Sequence, residues 1–180
     1  MPDEPRPSWV EVLTNRPVEH FLRRVVLTQQ PIDYLVLVSP FIGPLRHVTP
    51  TMQSLVEKID RARIPTYVVT NEPDRGYPLH QAAVDILSRS RYTEIRYNAS
   101  LHAKVYVCKA RQVGFAMLGS GNLTDTSITK RIEVAILVND KGPGAYVFNE
   151  LWVWGSQRLR QFRESHLIKR MAVESVPNRR

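Results

Sequence analysis

The chain of 180 residues has the length of one domain, 43% of its residues are apolar, and 25 Lys and Arg stand against 17 Asp and Glu, a net charge of +8. That apolar share excludes a fully disordered chain, and the cationic surplus points to polyanions, nucleic acid first and acidic lipid second. A single cysteine, Cys108, excludes an internal disulfide, no Cys/His cluster has zinc-site spacing, and no apolar run approaches the ~20 residues of a membrane span.

Residues 1–14 read as an N-terminal extension, with three prolines in the first eight residues. Its Pro-rich, acidic start is the opposite of a signal peptide, so a cytoplasmic protein is expected. Asn15 is placed to cap a helix over Arg16–Thr28, where Val18, Phe21, Leu22, Val25 and Val26 recur at helical spacing. "DYLVLVSPF" is a continuous apolar run of strand length, the pattern of a strand covered on both faces. Thr49 and Pro50 open a second helix through Met52, Leu55, Val56 and Ile59, "IPTYVVTN" is a second buried strand, and residues 79–89 form a third helix.

Strand–helix alternation predicts right-handed crossovers and an α/β fold with a mixed, mostly parallel central sheet flanked by helices. "TEIRYN", "LHAKVYVC" and "VGFAMLGS" follow as strands, with "KARQ" short enough for a hairpin. A short helix after Gly121, the strand "IEVAILVN" and a final helix near 145–165 complete one catalytic domain over 15–168, with a basic tail at 169–180.

The chemistry concentrates late in the chain. On a strand, residues two apart share a face, which puts His102, Lys104 and Tyr106 on one side of "SLHAKVYVCK". Alone, such a pair reads as a satisfied histidine beside a snorkelling lysine. The next strand ends in Gly119-Ser120-Gly121-Asn122, a small-residue turn into a helix start, where free N–H groups favour an anion. Glu133 follows, at the start of another strand. The other histidines, His20, His47, His80 and His166, have no lysine two residues on, and His80 and His166 are expected on helix surfaces.

Together, His102-x-Lys104, Gly119-Ser120-x-Asn122 and Glu133 resemble the signature of the phospholipase D superfamily. The strands "LVLVSPFI" and "YVVTN" look like that family's N-terminal half, so the resemblance covers most of residues 15–165. Many members carry Asp where this chain has Lys109, and often Asn where it has Arg131. These departures resemble the nuclease branch of metal-independent, BfiI-type restriction endonucleases.

The resemblance implies a phosphodiesterase that needs no cofactor and no metal. His102 would attack phosphorus to give a phosphohistidine; Lys104, Ser120 and Asn122 would hold the non-bridging oxygens, with Gly119 and Gly121 shaping the turn. Glu133 would accept the other ring N–H of His102. Two histidines are needed and one motif is present, so a homodimer with one composite site is implied. Nucleic acid is expected as substrate, DNA ahead of RNA, since no amphipathic membrane-binding stretch is found. Candidate backbone contacts are Arg61, Arg63, Arg89, Arg91, Arg96, Arg111, Lys130 and Arg131. With no sequence-reading module, the domain would cut with little preference or rely on a separate targeting protein, a setting that suits restriction or phage defence. Two alternatives remain open: an inactive nucleic-acid-binding or scaffold protein, suggested by Lys109, and, less favoured, a phosphatidyl-transfer enzyme.

Overall fold

The computed structural model describes residues 9–73 and 77–172. One eight-stranded sheet runs through it: β1 (Val10–Leu13), β2 (Ile32–Val38), β3 (Thr66–Thr70), β4 (Thr93–Asn98), β5 (Val105–Ala110), β6 (Phe115–Gly119), β7 (Ala135–Asn139) and β8 (Ser165–Lys169). Its spatial order is β1-β7-β6-β5-β2-β3-β4-β8. The helices are α1 (Pro17–Leu27), α2 (Met52–Ala62), α3 (Pro78–Ser88), α4 (Asp125–Thr129) and α5 (Gly144–Val153), the last continuing through a π-helical turn (Trp154–Arg158) into α6 (Leu159–Gln161).

The sheet is mixed but not mostly parallel, contrary to expectation. Only β2/β3 and β3/β4, the pairs joined through α2 and α3, run parallel; the other five pairings are antiparallel. A parallel return needs a crossover of a dozen or more residues, and the links 99–104 and 111–114 around β5 are shorter than that; the link from β6 to β7 is long enough and carries α4, yet β7 returns antiparallel beside β6. The turn at 111–114 makes β5 and β6 a hairpin, and β5 inserts antiparallel beside β2. The stretch expected as an extension supplies edge strand β1, paired with β7, and the opposite edge strand β8 carries His166 on a strand rather than a helix. The last residues of the expected basic tail, 173–180, lie outside the described residues.

Both sheet faces are covered at the centre, which explains the unbroken apolar runs. Leu35 and Leu37 of β2 face α1, α2 and α3, together with Tyr106 and Cys108 of β5. Val36, Val38, Val105 and Val107 face the α5 side with Phe148 and Leu159. Burial pushes the Cys108 thiol up to about 12, so it sits in the core as an unreactive apolar group. The helix starts differ by a residue or two from those expected. Thr51, not Thr49, caps α2, accepting the Ser54 N–H at 3.1 Å, and Arg16, not Asn15, stands at the head of α1.

His80, expected on a surface, is buried on α3, its Nε2 2.9 Å from the Thr70 hydroxyl. Burial lowers its pKa, so the fold holds it neutral while the unfolded chain protonates near the ordinary value of about 6.5. Its contribution is therefore present above that pH and lost as pH falls through it. Chemical denaturation of wild type and His80→Gln at pH 7.5 and 5.5 should show a steeper acid loss for wild type; equal slopes would mean that His80 titrates as freely in the fold as outside it.

Candidate active site

Strands β2, β3, β4 and β6 end, and β5 and β7 begin, at one end of the sheet. All five motif residues sit there. The His-x-Lys pair lies just ahead of β5 rather than inside it: His102 is exposed, Lys104 is half-buried, and Lys104 Nζ donates to the His102 carbonyl at 2.8 Å. The Gly119 N–H donates to the Lys104 carbonyl at 3.3 Å, tying the β5 entrance to the β6 exit. Tyr106, two residues on, is fully buried and donates its hydroxyl to the Gly121 carbonyl at 2.8 Å; burial raises its pKa, so it stays a neutral donor.

Glu133 is the hub of the turn. It is buried, and each of its carboxylate oxygens accepts a serine hydroxyl: Ser120 Oγ on one, and Ser127 Oγ at 2.6 Å on the other. Ser127 also accepts the Asn122 N–H at 2.9 Å, while the Ser120 N–H donates to the Val134 carbonyl at 3.0 Å and the Ser120 hydroxyl accepts the Val134 N–H at 3.2 Å. The hydrogen bond to the His102 ring implied by the family resemblance is not among the contacts of Glu133.

Two glycines let these strands meet. A Cβ on Gly119 would lie 2.6 Å from both Ala135 Cβ and the Val134 carbonyl oxygen, and one on Gly121 would lie 2.9 Å from Val18 at the head of α1. Any side chain at 119 would push backbone against backbone.

The turn does not offer the open N–H cradle that its small residues suggest. The N–H groups of Gly119, Ser120, Asn122, Leu123 and Thr124 go to Lys104 O, Val134 O, Ser127 Oγ, Ser39 Oγ and Asn122 O. The Thr124 hydroxyl caps α4 by accepting the Ser127 N–H at 3.2 Å. Of the N–H groups from 119 to 124 only that of Gly121 has no acceptor among these contacts, so further donors for an anion come from side chains, which Lys104 and Asn122 can supply. The single Ser39 hydroxyl proton is taken by the Phe41 carbonyl at 2.7 Å rather than by Asn122 Oδ1 at 3.4 Å, which leaves the Asn122 amide free to turn its NH2 toward a ligand.

Ser39 and Ser127 are functional-site residues that the motif pattern does not single out. Ser39 follows the apolar β2 run in "VSPF", and Ser127 lies five residues past Asn122, so only the three-dimensional pairing shows their role. The expected cations are scattered. The α2 and α3 ends carrying Arg61, Arg63, Arg89 and Arg91 precede parallel strands that start at the opposite end of the sheet. Arg96 is paired with Glu94, and Arg111 with Asp33. Lys130 and Arg131, exposed just ahead of Glu133, stay at the site end, where Arg16 and Arg46 join them. Among the described residues no three His, Cys, Asp or Glu side chains come together as a metal-binding group. No described helix is long and apolar enough to cross a membrane.

No family model and no curated protein matches the chain. Solved structures do. The fold is similar to Nuc of Salmonella typhimurium, a phospholipase D family member, at 18% identity and a TM-score of 0.62, over 89% of this chain and 99% of that one. It is similar to NucT from Helicobacter pylori at 9% identity and 0.60, over 88% and 98%. It also resembles the phosphatidylserine synthase of Haemophilus influenzae Rd KW20 at 14% identity and 0.59, over 90% of this chain and 40% of that one. The chain therefore has a phospholipase D-like fold.

Ser127→Ala would strand the Asn122 N–H and one oxygen of a buried carboxylate. Loss of such a partner costs about 1–3 kcal/mol, and urea denaturation should show a loss in that range. An unchanged midpoint would mean that water replaces the hydroxyl and that the turn does not depend on it.

Proposed function

We propose that the chain is a metal-independent phosphodiesterase acting on nucleic acid, with DNA ahead of RNA, through His102 at a site completed by a second copy of the chain. The observation that carries this reading is the meeting of His102, Lys104, Ser120, Asn122 and Glu133 at one sheet end. Their types match what phosphodiester cleavage requires: a nucleophile, an acid for the leaving oxygen, and donors around the non-bridging oxygens. The net charge of +8 favours a polyanion, and the likeness to Nuc and NucT fits the same chemistry.

In this reading an imidazole nitrogen of His102 attacks phosphorus. The phosphorus–nitrogen bond forms as the bond to the leaving oxygen breaks, and that oxygen takes its proton from the imidazolium of the partner copy. Water then attacks phosphorus, gives its proton to the second imidazole, and frees His102. Lys104 and the Asn122 amide hold the non-bridging oxygens. Ser120 and Glu133 act as positioning residues, their hydrogen bond holding the turn that presents Asn122.

A second copy is supported by an uncovered apolar row. Leu118 of β6 pairs with Ile136 of β7, which pairs with Val12 of β1, and all three side chains are exposed on the α5 face of the sheet. Val134 is exposed beside them. Leu118 also pairs with Val105, three residues from His102, so covering this row with its own symmetry mate would draw two His102 side chains toward one axis. Leu118→Asp should give a folded monomer by sedimentation that has lost nearly all activity. An active monomer would refute the shared site.

Hydrolysis of plasmid, single-stranded DNA and RNA should survive EDTA, because Glu133 has both oxygens committed to serines and among the described residues no three His, Cys, Asp or Glu side chains come together. Loss on chelation with rescue by Mg²⁺ would overturn the metal-free reading. A dimer pairing wild type with His102→Ala has one imidazole for two roles and should be nearly inactive; half the wild-type rate would show two independent sites.

A further inference from the structure

The chain from Ser39 to Ile42 joins the candidate site to an exposed aromatic pair. Ser39 Oγ accepts the Leu123 N–H at 3.0 Å and donates to the Phe41 carbonyl, and Ile42 forms a bridge with Leu123, so Phe41 rides on the strap that packs against Asn122. Phe41 is 44% exposed and Tyr77 43% exposed, and their ring centroids lie 6.0 Å apart at 48°. At that spacing no base fits between the rings, so a planar ligand would have to lie on the outer face of the pair.

That face is held rigidly. The edge-on His80 ring lies 6.2 Å from Phe41 at 63°. The Thr70 hydroxyl donates to the Pro40 carbonyl at 3.2 Å, so the 2.9 Å contact with His80 Nε2 makes the imidazole the donor there. The Asn71 N–H donates to the same Pro40 carbonyl at 3.1 Å. A buried, neutral histidine and two bonds to one carbonyl thus fix the segment that carries Phe41. An aromatic ring held in water offers a planar ligand a surface on which to stack.

We infer that Phe41, backed by Tyr77, stacks on a nucleobase next to the scissile phosphate, so that the site takes single-stranded nucleic acid in preference to duplex. The inference rests on the phosphodiesterase reading above. Stacking needs an open base face, which a duplex gives to its own neighbours and a single strand offers, and it tolerates any base.

The test compares wild type, Phe41→Ala and Phe41→Trp on three substrates: a single-stranded oligonucleotide, its duplex, and a strand of the same length with abasic sites flanking the cleaved phosphate. Wild type should prefer the base-bearing strand over the abasic one by ~5- to 150-fold, the span to which the stacking free energy of one base converts. Phe41→Ala should collapse that ratio toward one, and Phe41→Trp should keep it. A ratio unchanged in Phe41→Ala, or duplex cut faster than single strand by wild type, would overturn the inference. So would Phe41-dependent hydrolysis of phosphatidylcholine vesicles in place of the oligonucleotide, which would assign the face to an acyl chain. A binding arm separates the two readings: 2-aminopurine in the single strand should be quenched by His102→Ala protein and not by the His102→Ala, Phe41→Ala double variant. Quenching without any hydrolysis by wild type would retain the stacking face and reject the phosphodiesterase reading; hydrolysis without Phe41-dependent quenching would do the reverse.

Discussion

A buried carboxylate cannot be left without donors, and Glu133 imposes that demand on the whole sheet end. Removing an ionised carboxyl from water costs several kcal/mol unless hydrogen bonds replace the lost hydration. Ser120 and Ser127 provide them from two sides, one on the turn after β6 and one on α4. Satisfying one side chain therefore fixes where the turn, the short helix and the entrance to β7 stand relative to one another. Ser127 extends the constraint to the Asn122 backbone, and Ser39 extends it to the strap after β2.

The strands can obey this demand only because they approach closely. Gly119 lies against Ala135 and Val134 with no room for a Cβ, and Gly121 lies against Val18. The Tyr106 hydroxyl on the Gly121 carbonyl anchors the same turn from the core. Three layers thus hold the turn: a buried phenol below, a buried carboxylate beside, and the β2 strap above. His102 and Lys104 stand at its rim, attached through the Gly119–Lys104 backbone bond, with their side chains available.

Much of this was legible in the sequence because it depends on local pattern. The unbroken apolar run of β2 foretold a strand covered on both faces, and the spacing of His102, Lys104, Ser120, Asn122 and Glu133 marked the residues that the fold gathers. What was illegible depends on pairing. Alternating strands and helices suggested a parallel sheet, but the short links on either side of β5 make it run antiparallel to β2 and β6, and β7 and β8 pair antiparallel although longer links lead into them. "VEVL" is only four residues long beside a proline-rich start, and it becomes a strand as an edge that pairs with β7. His80 looked like a surface residue on an amphipathic helix until the Thr70 hydroxyl gave it a buried partner. The small residues at 119–122 suggested free N–H groups, yet those of Gly119, Ser120 and Asn122 go to Lys104, Val134 and Ser127, leaving that of Gly121 alone without an acceptor among these contacts. Ser39 and Ser127 belong to no motif, and their importance comes only from what they touch.

The central claim is that His102 forms a bond to phosphorus, and a chemical trap tests it most directly. A phosphorus–nitrogen bond is stable in base and labile in acid, the reverse of a serine phosphate ester. Oligonucleotide labelled at the scissile phosphate and quenched in alkali during turnover should leave label on wild-type protein, release it in mild acid, and leave none on His102→Ala. Label that survives acid would assign the nucleophile to a hydroxyl such as Ser120, and rapid hydrolysis with no trapped label would mean that water attacks phosphorus directly; either result would contradict the account.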